Sequence, residues 1–124
     1  MDNEIFGWAS VMAGLAMGLY MGMRFQREEW LGGYSAFPRR MVRLAHVAAV
    51  ALDMLNIQFA ESRPRLHLWP LAETAASLAL AAAAVLMPAC CLRIAARRRY
   101  FQVFAAPIGC LAAGIGLTLA GLLR

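Results

Sequence analysis

The sequence holds no lysine, only seven acidic residues and only two histidines, and charged residues make up 15% of it. It also lacks any polar stretch long enough to build a soluble domain, for which about 25% charged residues and a minimum of about 50 residues are usual. A soluble catalytic or nucleic-acid-binding domain is therefore excluded. Cysteine is scarce too. Cys90, Cys91 and Cys110 fall in apolar segments without zinc-ribbon or C-x-x-C spacing, so neither a disulfide framework nor a metal site is expected. The missing lysine leaves all twelve basic residues as arginine, which reads as the codon usage of a GC-rich bacterial genome.

What is present is apolar, at 62% of the chain. Four stretches, 5–23, 41–60, 71–92 and 101–123, each reach the length of about 18 residues needed to cross a hydrocarbon core about 30 Å thick. The predicted fold is all-α, an integral membrane protein whose single domain is four transmembrane helices. Asp2 and Glu4 stand where a secretory signal carries positive charge, and no A-x-A site follows, so the first segment is expected to persist as a helix.

Arginine position sets the expected orientation, because short loops rich in arginine stay in the cytoplasm. Arg24, Arg27, Arg39, Arg40 and Arg43 flank the first loop, and Arg93, Arg97, Arg98 and Arg99 the third. Only Arg63, Arg65 and Arg124 belong to the other side. Both termini are thus expected on the outer, periplasmic face of a bacterial inner membrane. Trp8 and Trp69 would mark the outer headgroup level, and Trp30, Tyr34 and Tyr100 the inner one. The segment 25–37 mixes charge, Trp30 and a Gly32-Gly33 break, which places it along the inner interface before Pro38 opens helix two with Ser35 as its cap. Arg97, Arg98 and Arg99 are positioned to meet lipid headgroups.

Inside lipid, helices associate by close backbone approach along small residues. Gly14, Gly18 and Gly22 form such a seam on helix one, with Gly7 one heptad above Gly14. Helix four carries Ala105, Gly109 and Ala113, and a second pair in Gly114 and Gly121. These are more smooth faces than four helices need, so a surplus face is expected to meet another subunit.

Polar groups within the spans are the functional pointers, since an ionised side chain at mid-bilayer costs about 2.5–3.5 kcal/mol or more. Depth along antiparallel helices groups Asp53, Asn56, Glu73, Thr74 and Ser77 into one polar cluster, either a proton or cation relay, a quinone rim, or an interhelical hydrogen-bond clasp. His46 is a candidate cofactor ligand, but His67 falls in the outer loop, so the chain does not supply two haem ligands. No cofactor of its own is expected, only lipid, quinone or a shared haem or pigment at a subunit interface. The vicinal Cys90 and Cys91 read as small apolar filler.

The expected function is a non-catalytic accessory subunit of a larger energy-transducing membrane complex, respiratory or photosynthetic, with lipids and other integral membrane subunits as partners and no nucleic acid. One alternative is a small homo-oligomeric transporter or channel using Asp53 and Glu73. Another is a redox anchor sharing a haem or pigment through His46.

Overall fold

The computed structural model describes residues 2–97 and 101–124, so the expectations for Arg98, Arg99 and Tyr100 lie outside the described residues. Within them the chain is helical and contains no strand. Four helices run α1 (Asn3–Phe25), α2 (Phe37–Ser62), α3 (Pro70–Ala96) and α4 (Ala105–Leu122). Short 3-10 turns occupy Trp30–Gly32, Arg63–Arg65 and Phe101–Phe104. All four helices are long and apolar enough to cross a membrane.

Each helix begins for a local reason. Asp2 caps α1, its carboxylate accepting the Glu4 and Ile5 amides at 3.1 and 3.4 Å. Pro38 and Pro70 stand in the first turns of α2 and α3, where a missing N–H costs nothing. The expected cap Ser35 is displaced by one residue: Ala36 holds the N-cap of α2 and no side chain caps it. The chain reverses before it through Leu31, Gly32 and Gly33, all with positive φ (56°, 85° and 100°). Leu31 pays the steric penalty of a left-handed residue, about 1–2 kcal/mol, which glycine avoids.

The helices do not close into a bundle. α1 packs along α2, α2 along α3 and α3 along α4, while α1 and α4 share no seam. The result is a folded row with α2 and α3 at its centre and much of α1 and α4 exposed. Its best-buried apolar cluster, Phe59, Ala76 and Leu80 with Leu111 and Leu117 against it, joins α2, α3 and α4. Both termini and the α2–α3 connection lie at one end, where the His67 amide donates to the Gly121 carbonyl at 3.0 Å. The other end carries segment 26–36, the arginine-rich start of α2 and the end of α3 with Arg93 and Arg97.

The small-residue seams follow a heptad line. On α1, Gly7, Gly14 and Met21 are buried, and a Cβ on Gly7 or Gly14 would come within 2.6 Å of Ile57 or 2.9 Å of Val50. On α4 the buried line is Pro107, Gly114 and Gly121, against Leu80 and Leu68. Gly18 also lies under α2, its virtual Cβ 2.8 Å from His46 Cε1. Gly22, Gly109 and Ala113 are exposed, and nothing lies within 4 Å of a Cβ on Gly22 or Gly109.

Candidate functional site

Three buried polar side chains meet near the terminal end of the row. Asn3 donates from Nδ2 to Asn56 Oδ1 at 2.7 Å and to the Ser77 carbonyl at 3.2 Å, while the Ser77 hydroxyl donates to Asn3 Oδ1. Asn56 donates onward to the Leu52 and Leu80 carbonyls at 3.0 and 3.3 Å. Asn3 and Asn56 are fully buried and Ser77 nearly so. Every polar atom of the three side chains has a partner, so the trio behaves as a clasp tying α1 to α2 and α3.

The structure therefore divides the predicted cluster. Asn56 and Ser77 meet, through Asn3, which lies outside the expected span 5–23. Its signal was register, since Asn3 stands four residues before Gly7 on the buried line of α1. Glu73 instead pairs with Arg63 at 2.5 Å, linking the end of α2 to the start of α3. The Thr74 hydroxyl donates back to the Pro70 carbonyl at 2.9 Å and is exposed. Both lie nearer the helix ends, where side chains reach water or each other.

Asp53 stands apart. It is 3% exposed, and among the described residues its carboxylate has neither a hydrogen bond nor an ion pair. It faces a cleft of about 190 Å³ between α1, α2 and α3, shared with Ser10, Gly14, Ala49, Ala84 and Pro88. A second cavity of about 310 Å³ lies between α2, α3 and α4, lined by Leu55, Phe59, Leu80, Ile115 and Thr118, apolar enough for an acyl or isoprenoid chain.

His46 packs over Gly18, and among the described residues its buried Nδ1 has no partner. A metal-ligating histidine ordinarily donates its second ring nitrogen to a carbonyl or carboxylate that fixes the ring. Among the described residues His46 has no such orienting bond at Nδ1. Among the described residues no group of three His, Cys, Asp or Glu side chains is arranged to hold a metal ion. Cys91 is fully buried and the Cys90 thiol donates to the Val103 carbonyl at 3.5 Å. Arg97, the described member of the expected headgroup cluster, is exposed beyond the last turn of α3.

No protein family, curated protein or solved structure matches this chain.

Arg39 has a role that an orientation count conceals. It is 3% exposed, with its guanidinium 4.6 Å from the Phe25 ring centre, 5.5 Å from that of Tyr34 and 5.9 Å from that of Trp30. Its Nη2 donates to the Phe25 carbonyl at 2.9 Å, so a cation from α2 caps the negative end of α1. Charge-assisted bonds contribute about 1.5–3 kcal/mol and each ring contact about 0.5–1 kcal/mol. Arg39→Leu is expected to speed amide exchange across residues 26–36 by about tenfold or more, read by hydrogen-exchange mass spectrometry. Unchanged exchange there would mean that the aromatic turn holds without its arginine.

Proposed function

We propose that this chain is a multi-pass protein of the bacterial inner membrane, with periplasmic termini, that serves as a non-catalytic subunit of a larger membrane complex. The observation that carries the reading is the open row of helices. Four helices that formed a self-sufficient bundle would bury their close-packing faces on one another. Here the Ala105, Gly109 and Ala113 face of α4 is exposed, as is much of α1. Small-residue faces are what membrane helices use to associate, since lipid provides no hydrophobic drive between them. The arginines gathered at one end support the orientation, and the apolar cavity beside Phe59 offers room for lipid or a quinone tail. An energy-transducing complex is the setting we favour, because His46 and Asp53 place titratable groups within the span.

Purification in mild detergent tests the proposal. The wild-type chain is expected to migrate with other membrane subunits. Gly109→Leu combined with Ala113→Leu should release it from them while its own helices stay intact, since none of the described residues lies within 4 Å of a Cβ on Gly109. A solitary, stable monomer from native membranes overturns the reading.

A further inference from the structure

We infer that the Asp53 cleft receives a cationic side chain, lysine or arginine, from a transmembrane helix of a partner subunit. The inference rests on the subunit reading and names the chemistry of one contact in it. Asp53 lies within α2 and lines the cleft, and among the described residues its buried carboxylate is unpaired. The Asn56 amide is used on Leu52 and Leu80, and Arg63, beyond the end of α2, is held by Glu73. The remaining described arginines sit toward the helix ends.

Around the cleft acceptors predominate, and the Ser10 hydroxyl can both accept and donate. Pro88 has no N–H to give the carbonyl of Ala84, so α3 leaves that carbonyl without its helical partner, and both residues line the cleft. Ser10 contributes a hydroxyl. A carboxylate, a carbonyl and a hydroxyl suit a multi-donor cation, ammonium with three N–H groups or guanidinium with five. The walls are otherwise apolar and small, which suits the methylene stem of such a side chain.

The direction of approach selects the source. The exposed Ala13 and Val85 stand at the mouth, between α1 and α3, so the cleft opens sideways into the span rather than toward either loop end. A free cation would have to shed its water and cross hydrocarbon to arrive there. A partner helix delivers its charge at that depth, and intramembrane ionisable residues are found paired in this way.

The full chain is reconstituted in phosphatidylcholine vesicles, labelled at its C-terminus, and mixed with a fluorescent host helix of about 20 leucine and alanine residues carrying one central lysine. Energy transfer is expected to report association at least about tenfold tighter than for the same helix with leucine at the centre. Asp53→Asn should erase that preference and Asp53→Glu should retain it. Ala13→Phe, which fills the mouth without touching the clasp, should also erase it, with helicity by circular dichroism unchanged in all variants. Equal binding of the lysine and leucine helices overturns the inference, as does a preference that survives Asp53→Asn. Sodium or proton flux that the chain alone supports and Asp53→Asn abolishes overturns it too. In native membranes, a partner retained equally by wild type and Asp53→Asn overturns the inference and leaves the subunit reading standing, whereas isolation of the chain alone sinks the reading itself.

Discussion

Asn3→Leu is expected to lower the stability of the helix row by about 2–3 kcal/mol, because it removes the side chain through which α1 is bonded to both α2 and α3. Interhelical hydrogen bonds in membranes contribute about 0.6 kcal/mol on average and up to about 1.7 kcal/mol, and Asn3 takes part in three. The loss has an additional cause. Asn56 Oδ1 would be left buried without its donor, and an unmet buried acceptor costs about 1–3 kcal/mol. The Ser77 hydroxyl has an alternative in the carbonyl four residues before it, so it adds little. Unfolding in mixed micelles, followed by far-UV circular dichroism, measures the change. Asn3→Leu with Asn56→Leu together should cost clearly less than the sum of the single variants, since the double variant leaves no orphan between them. Additivity within about 0.3–0.5 kcal/mol would show that the two asparagines act independently and that the clasp is not a unit.

What the sequence made legible is what can be read along one dimension. The length of an apolar run, the proline in a first turn and the crowding of arginine at one set of helix ends are local properties. They led to four helices whose ends fall within a few residues of the expected ones, apart from α4, where residues 101–104 form a 3-10 turn. Which face of a helix is used is not local. On α4 two small-residue lines compete, Ala105-Gly109-Ala113 at a spacing of four and Pro107-Gly114-Gly121 at a spacing of seven. The structure uses the second. A seven-residue line stays in contact with a neighbour over a whole span, and the Leu68 and Leu80 side chains sit over Gly121 and Gly114 as knobs over holes. A four-residue line favours a shorter, right-handed crossing, and on α4 it is left facing outward.

The polar residues show the same division. Depth placed Asn56 and Ser77 together, since antiparallel helices fix which residues share a level. Depth alone did not separate them from Glu73, whose position near the start of α3 lets it reach Arg63 across the short connection. It also did not recruit Asn3, which lies outside the apolar run 5–23 and joins the site only through its register with Gly7. Arg39 was hidden for a different reason: a charge read as an orientation signal gives no sign that it is also buried among three aromatic rings.

The contrast between Gly7 and Gly22 is the sharpest consequence of the heptad line. A methyl group on Gly7 would stand 2.6 Å from Ile57 Cγ1 and 2.9 Å from the Asp53 carbonyl oxygen. The isoleucine is buried and β-branched, and the carbonyl belongs to the backbone of α2, so α1 must move away from both. Overpacking of this kind costs about 1–3 kcal/mol. Because Gly7 lies one turn from Asn3, the same displacement lengthens the bonds of the clasp, and Gly7→Ala is expected at the upper end of that range. Gly22→Ala meets nothing within 4 Å and gains helix propensity, so it should leave stability unchanged or raise it by about 0.5–1 kcal/mol. Mixed-micelle unfolding of the two variants decides the matter. Comparable losses would place the α1–α2 contact on the Gly14-Gly18-Gly22 line instead. If Gly7→Ala is costly and the cost shrinks in an Asn3→Leu background, close helix approach at Gly7 is what brings Asn3 within reach of Asn56 and Ser77.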